Sequence, residues 1–547
     1  VKPDEILRRG RALLTEGRTK QALGFLQAAG AKHPNHPGIA LLAADALHAS
    51  GRLAEAVTAY EAALRVGDSA DGWFSLGCAQ LALKAHGAAL ASLARAAALA
   101  PESAPVRYNL AKAQFQLGHI EAAVENFEQA ALDPAMAQMA RASIATIIPG
   151  SPAADNAKVL QARRAWAQAE PVPPAPPLTR RPGAKLRIGY LSAFLGEKNW
   201  IKPVMAMLNH HNRDRFELHL FSDGKPPSPE SGYRDHDADV VHDFRFVEND
   251  QAAEIIRDIG IDVLVDLNGY SFQKRLGLIM RRPAPHLIGW VNMFATTGVA
   301  AFDWIIGDDT VLPAAEEKFY VEKIHRLPGT YMAFEILYPV PDIAPSPCLA
   351  NGFITFGCFG SHYKLTNGMV AAFARILAAA PGANLFIKNG ALEDASTRDE
   401  FLLRLRAAGV DAARVVLAGR SEHYAFLEAY AQVDIAIDTF PYNGGTTTTE
   451  ALWQGVPVLT FDGNRWASRT SKSLLHAAGM QDWVMPDQAA YEERAITLAN
   501  AADTPAMLAA LRAGMRQKLS ASTVCDAKGM CEALERFYLE ITDGAPE

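Results

Sequence analysis

Asp438-Thr439-Phe440-Pro441-Tyr442-Asn443-Gly444-Gly445-Thr446-Thr447-Thr448-Thr449-Glu450-Ala451-Leu452-Trp453 follows the apolar run Ile435-Ala436-Ile437. A buried strand ends, a glycine pair turns the chain, and a helix opens on four threonines. That order is the strand-to-helix step of a doubly wound parallel sheet. The glycines let the backbone approach a ligand closely. The threonines supply capping oxygens and hydroxyl donors. Free amides at a helix N-terminus suit an anion such as a diphosphate, and Glu450, just inside the helix, can accept bonds from a ribose diol. The segment also reads as a polar capped turn with no ligand. It is not a P-loop, because GxxxxGK[ST] is absent.

The same texture extends on both sides. Leu186–Ser192, Phe216–Phe221 and Val263–Leu267 read as buried strands separated by helical patterns. A second set comprises Phe353–Phe359, Leu385–Ile387, Val415–Leu417, Ile435–Ile437 and Val456–Thr460. Two successive sets predict two Rossmann-like lobes with a cleft between them, ligands lying at the carboxyl ends of the strands. After Gln488 the sequence predicts helices Tyr491–Ala502, Ala506–Leu519 and Ala527–Ile541, which brace the lobes.

The first quarter is a repeat. Ala22, Ala56, Ala89 and Ala123 recur in steps of 34, 33 and 34 residues. Leu26, Tyr60, Leu93 and Phe127 follow four positions later, and Ala29, Ala63, Ala96 and Ala130 seven later. Pro34, Pro101 and Pro134 close units, and Gly17, Gly51 and Gly118 mark turns inside them. Small residues let helices pack closely, the bulky residue fills the gap one turn on, and proline stops the second helix. The pattern resembles the tetratricopeptide repeat, whose solenoid presents a concave face to extended peptides. The expected domains are repeats over 1–135, a helical extension over 136–170, a stiff proline-rich linker over 171–184, an N-terminal lobe over 185–345, and a C-terminal lobe with its helices over 346–547.

The 547 residues carry a net charge of −7, with 49% hydrophobic and 21% charged residues. An acidic balance argues against bulk binding to nucleic acid or anionic membrane. No stretch reaches the length of a membrane span. Cys78, Cys348, Cys358, Cys525 and Cys531 form no CxxC pair, which fits a reducing, cytoplasmic compartment. The valine start leaves a removed leader open.

From about Lys185 to Asp482 the chain resembles the O-linked N-acetylglucosamine transferase/SPINDLY family, glycosyltransferase family 41. The matching stretches are Arg187-Ile188-Gly189-Tyr190, Asp266-Leu267-Asn268-Gly269-Tyr270, Arg282-Pro283-Ala284-Pro285, Tyr363-Lys364-Leu365, Asn443 to Glu450, and Ala467-Ser468-Arg469. They stand in family order after tetratricopeptide repeats. The resemblance implies the two-lobed GT-B fold and metal-independent transfer from a nucleotide-sugar to Ser/Thr of a protein. It implies that Lys364, beside Tyr363, contacts the diphosphate, that Thr446 and Thr447 bind phosphate oxygens with Gly445 and Thr448 also at the donor, and that Glu450 takes the ribose. Ser421 to Phe426 matches the base-binding segment, with His423 and Phe426 where relatives have a lysine and a stacking histidine.

Two family features are missing. Relatives carry a histidine in a Phe-Gly-x-His-Pro pattern after the first strand; here Lys198 and Asn199 replace histidine and proline. A second histidine before the middle strand is Asp262 here, which reads better as a cap than as a base. Lys198 and Lys202 hint at an anionic group such as a sugar carboxylate, or are solvated charge on a helix. Phe294-Ala295-Thr296-Thr297-Gly298 matches a loop lining the sugar and acceptor site, to which Asn268, Tyr270 and Asn292 are also assigned. The run Asp235 to Asp243 has metal-ligand residue types but reads as a solvated loop, without zinc spacing.

The expectation is an inverting transferase moving N-acetylglucosamine from its UDP donor onto a protein held by the repeat groove, with no metal cofactor. Two alternatives stay open: another donor (a nonulosonic acid, hexose or fucose nucleotide) on a bacterial surface-appendage protein, and a repeat scaffold carrying a dead transferase lobe.

Overall fold

The computed structural model describes residues 2–170, 185–197, 202–234 and 236–543. The proline-rich stretch, Lys198, Asn199 and Asp235 lie outside the described residues.

Four helix pairs open the chain: α1 (Pro3–Thr15) with α2 (Thr19–Lys32), α3 (Pro37–Ala49) with α4 (Leu53–Val66), α5 (Ala70–Ala82) with α6 (His86–Leu99), and α7 (Ala104–Gln116) with α8 (Ile120–Ala130). The periodic alanines Ala22, Ala56, Ala89 and Ala123 are fully buried on the second helix of each pair, beside buried Leu26, Tyr60, Leu93 and Phe127. The turn glycines adopt positive φ (71°, 75° and 83° at Gly17, Gly51 and Gly118), and the third pair, whose turn has no glycine, places Lys84 there at 61°. A lysine in that conformation costs about 1 kcal/mol. Two further helices, α9 (Ala137–Ile147) and α10 (Asn156–Ala167), carry the chain onto the first lobe.

That lobe is a parallel sheet of β1 (Leu186–Ser192), β2 (Phe216–Ser222), β3 (Val240–Asp243), β4 (Val263–Asp266), β5 (His286–Gly289), β6 (Trp304–Gly307) and β7 (Lys323–Arg326), in the order β3-β2-β1-β4-β5-β6-β7. The second lobe is a parallel sheet of β8 (Thr355–Cys358), β9 (Asn384–Lys388), β10 (Val415–Ala418), β11 (Ile435–Ile437), β12 (Val458–Phe461) and β13 (Val484–Met485), in the order β10-β9-β8-β11-β12-β13. Strand order reverses between β1 and β4 and between β8 and β11. Those two switch points are where loops part to leave a crevice.

Successive residues of a strand face opposite sides. Ile188 and Tyr190 therefore enter one core with Val263 and Val265, while Leu191 enters another with Phe221 and Leu264. The first core is covered by the last of the helices expected to brace the lobes. The helix Ala527–Asp543, assigned by sequence to the C-terminal lobe, packs on the N-terminal lobe. Leu534, Phe537 and Tyr538 join that core, the Tyr190 and Tyr538 hydroxyls lie 3.2 Å apart, and the Phe537 ring stacks 3.7 Å from His325. This helix thus straps one lobe to the other.

Candidate active site

Each strand at the two switch points feeds a loop into the crevice. After β8 comes a 3-10 turn, His362–Lys364. The Lys364 Nζ donates to the Asn443 carbonyl at 2.7 Å and sits 4.1 Å from the Tyr442 ring centroid. Burial pulls its pKa from 10.5 down to about 8, partly offset by the nearby Asp438 carboxylate. After β11, Asp438 pins the glycine turn: one carboxylate oxygen accepts the Thr439 and Gly444 amides at 2.9 Å, the other the Thr460 hydroxyl at 2.8 Å. Gly444 is required there, because a Cβ would lie 2.7 Å from the hydroxyl oxygens of both Thr447 and Thr448.

The helix Thr446–Trp453 starts on Gly445. The Thr448 and Thr449 amides return to the Gly445 carbonyl at 3.0 and 3.2 Å, and the amides of Thr446 and Thr447 fall in the first helical turn, which has no acceptor within the helix. The four threonines divide in the same way. Thr448, assigned to the donor, is buried with its hydroxyl 2.8 Å from that of Ser471, and the Thr449 hydroxyl folds back to the Thr446 carbonyl at 2.8 Å. Thr446 and Thr447 keep partly exposed side chains. Lys364 is thus bonded to the turn that leads from β11 into this helix, at Asn443, three residues before Thr446.

At the other end of the same helix face, Glu450 is buried among Lys202, His423 and Tyr338. The His423 Nε2 lies 2.8 Å from a Glu450 oxygen and 3.0 Å from the Lys202 Nζ, which also contacts that oxygen and donates to the Tyr338 hydroxyl at 3.1 Å. Burial raises the Glu450 carboxyl, but Lys202 and His423 outweigh it and hold it below the usual carboxylate value. Lys202, on the helix Lys202–Leu208 of the other lobe, was expected in the sugar and acceptor pocket. It lies instead against Glu450, with both side chains about 95% buried (4% and 5% exposed). Its charge is neutralised there and is not offered to a carboxylate on the sugar. The Phe426 ring is half-buried, packed edge-on to Phe359 at 5.4 Å with one side toward His423, and Ser421 is exposed.

The opposing wall comes from the loops after β4 and β5. Tyr270, Asn292 and Phe294 line a cavity of about 100 Å³ together with Tyr363, Lys364, Tyr442, Phe115 from the fourth repeat and Ile147 from α9. The Phe294 ring lies 5.1 Å from Tyr442, the Asn292 amide donates to the Leu267 carbonyl at 2.8 Å, and the Tyr270 hydroxyl donates to the Thr297 carbonyl at 2.7 Å. Two residues assigned here do not line the cavity. Asn268 is fully buried and accepts the Ala193 amide at 2.8 Å, so it ties the loop after β4 to the loop after β1. Thr296 is buried with its hydroxyl donating to Glu322 at 2.7 Å.

Sequence reasoning missed Arg163 on α10. Its buried guanidinium donates to the Ala145, Met293 and Thr296 carbonyls at 3.1, 3.1 and 2.7 Å and lies 4.0 Å from the Tyr270 ring centroid. It fixes the loop that carries Phe294. No local motif announces it, because all its partners are distant in sequence. Three residues of the acidic and histidine run near β3 are paired within the protein. Asp239 pairs with Arg213 at 2.8 Å, Asp243 with Arg245 at 2.6 Å, and the His242 ring with His219. His211, Cys531 and Glu535 gather in the core beneath the last helix, where a His211 ring nitrogen and a Glu535 oxygen lie 2.9 Å apart.

Two parallel doubly wound lobes facing across a crevice, preceded by a helical-repeat solenoid, make the two-lobed GT-B fold. Comparison with known proteins gives the family. The Glycosyl transferase family 41 model matches residues 173–337 and 346–534, and tetratricopeptide models match 13–73 and 104–132. The chain belongs to glycosyl transferase family 41. It is 31% identical over 362 residues to a probable UDP-N-acetylglucosamine–peptide N-acetylglucosaminyltransferase SPINDLY of Solanum lycopersicum, spanning 65% of this chain and 39% of that protein. The corresponding Arabidopsis thaliana protein is 31% identical over 366 residues, with the same coverage. The chain thus spans about two fifths of the length of these curated relatives. A solved O-GlcNAc transferase mutant from Thermobaculum terrenum superposes with a TM-score of 0.76 at 28% identity, covering 92% of this chain and 96% of that one.

Proposed function

We propose that this chain transfers N-acetylglucosamine from UDP-N-acetylglucosamine to a Ser or Thr hydroxyl of a protein, in one displacement with inversion and with the acceptor threaded along the repeat solenoid. The observation that carries this reading is the desolvated Lys364 ammonium, bonded to the Asn443 carbonyl of the turn that leads into the helix at Thr446. Negative charge builds on the departing diphosphate as the anomeric bond breaks. A fixed ammonium and aligned amides stabilise that charge more than the ground state, without reorganisation. Each such donor is worth roughly 3 kcal/mol. The chain's own cation and helix serve the diphosphate, so no resident metal is part of the proposal.

Glu450, with one oxygen held by Lys202 and His423, is placed to accept a ribose hydroxyl, and Phe426 offers a ring face to the base. The family resemblance supports both roles. The pairing of Lys202 with Glu450 favours a neutral sugar over a carboxylated one. The intact cradle speaks against a dead lobe. Intact-mass analysis of an acceptor protein incubated with UDP-N-acetylglucosamine, and with hexose, fucose and nonulosonic acid nucleotides in parallel, tests this. The expected mass gain is that of N-acetylglucosamine; a gain only with another donor refutes the sugar assignment. Failure of UDP to bind in the crevice refutes the transferase reading.

A further inference from the structure

The turn bearing Lys364 is held from outside its own lobe. The Arg404 side chain, 10% exposed, stands on the helix Ala395–Ala407 at the seam between the second lobe and the repeats. One guanidinium nitrogen donates to the Leu117 carbonyl of the fourth repeat at 2.6 Å. The other donates to the Leu365 carbonyl at 2.8 Å and to the Asn367 side chain at 2.9 Å. Leu365 directly follows Lys364. The seam is otherwise close-fitted. A Cβ on Gly118, which also has a φ of +83°, would lie 2.5 Å from the Leu365 carbonyl oxygen, and one on Gly87 would lie 2.2 Å from the Ser396 carbonyl oxygen. The Phe115 ring of α7 stacks on Tyr363 at 5.0 Å, and His119 bonds Glu400 at 2.9 Å.

A flexible arm that merely delivers an acceptor needs no such joint at the catalytic turn. We infer that Arg404 is a positioning residue for Lys364: by tying the turn after α7 to the turn after β8, it makes the fourth repeat a wall of the active site, so that the repeats govern the departure of the diphosphate as well as capture of the acceptor. A planar guanidinium suits this task because it reaches two carbonyls at fixed angles, which a lysine cannot do. The inference depends on the assignment of Lys364 to the diphosphate, and its test separates the two.

In the full-length chain, Arg404→Ala is compared with the wild type by two readouts. The first is pH-dependent amine labelling of Lys364 followed by mass spectrometry. The second is turnover of UDP-N-acetylglucosamine with water as the acceptor. Loosening the turn admits water to Lys364, so its labelling midpoint rises by about one pH unit toward the ordinary lysine value, and acceptor-free turnover falls at least tenfold. A midpoint and turnover equal to wild type overturn the inference. Should Arg404→Ala fail to fold, Phe115→Leu, which removes the stack on Tyr363, is read by the same labelling with the same expected direction and the same overturning result. A wild type that labels as expected yet binds no UDP defeats the transferase reading, while the labelling shift still decides the role of Arg404.

Discussion

In the proposed reaction Lys364 holds the charge of the leaving group, and its burial makes two consequences measurable. Lys364→Ala removes the fixed charge on the leaving group, so transfer falls about 10²–10³-fold with the fold intact, read by turnover alongside thermal melting. In the free enzyme the ammonium is lost above about pH 8, so kcat/KM for the donor falls on the alkaline side with that midpoint. The bound diphosphate favours the charged form, so the limb in kcat lies higher. Stability runs the other way. The folded pKa is below the unfolded value of 10.5, so between about 8 and 10.5 the unfolded chain binds more protons and stability rises with pH. Below about 8 the protein carries the cost of a buried charge. Lys364→Met should therefore melt higher than wild type at pH 7, with the gap closing by pH 10.5; an unchanged gap across that range contradicts the burial of the charge. A residue that lowers stability while serving catalysis fits the expected trade-off at a functional site.

At the scale of elements, the strand-turn-helix unit from β11 to Trp453 is built around a missing side chain. Gly444→Ala drives a methyl into the Thr447 and Thr448 hydroxyls, and relief must come from the turn that aims the Thr446 and Thr447 amides. The expected result is a loss of UDP affinity of tenfold or more by calorimetry with little change in acceptor binding; normal affinity would show that the turn does not hold the diphosphate. This unit was legible in the sequence because its requirement is local, glycines next to threonines next to an apolar helix. The repeat helices were legible for the same reason, their buried alanines and bulky residues recurring at fixed spacing. The strands β5 and β7 were not, since each has four residues and they include His286, Lys323, His325 and Arg326, which weaken the apolar signal. The last helix was read as a helix but its position was not, because an amphipathic pattern does not say which lobe it covers. Residues whose roles come from remote partners were equally hidden: Arg163, Arg404 and the pairing of Lys202 with Glu450 join segments more than 100 residues apart in their longest links.

For the whole molecule, two joints set how the parts work together. Across the crevice, Lys202 and Glu450 form a buried pair between lobes. Removing one partner strands the other charge, so Glu450→Ala should cost about 3–5 kcal/mol, whereas Lys202→Met with Glu450→Leu should recover most of that in denaturant melts without restoring donor binding. At the seam with the repeats, docking runs through α6, α7 and the turn before α8, while α1 and α2 pack on their neighbours within the solenoid. In a solenoid each repeat depends chiefly on the next, so damage stays local. Ala22 and Ala123 occupy equivalent, fully buried positions in the first and fourth repeats, and an aspartate at either should disrupt its own repeat by burying a charge. The consequences should differ by position. Ala22→Asp should lower transfer to a protein acceptor while leaving acceptor-free donor turnover near wild type, because the damaged repeat is remote from Lys364. Ala123→Asp should lower both, because the fourth repeat packs against the turn that carries that lysine. Equal effects of the two substitutions on acceptor-free turnover would mean that the repeats act on the active site as one rigid body, or not at all.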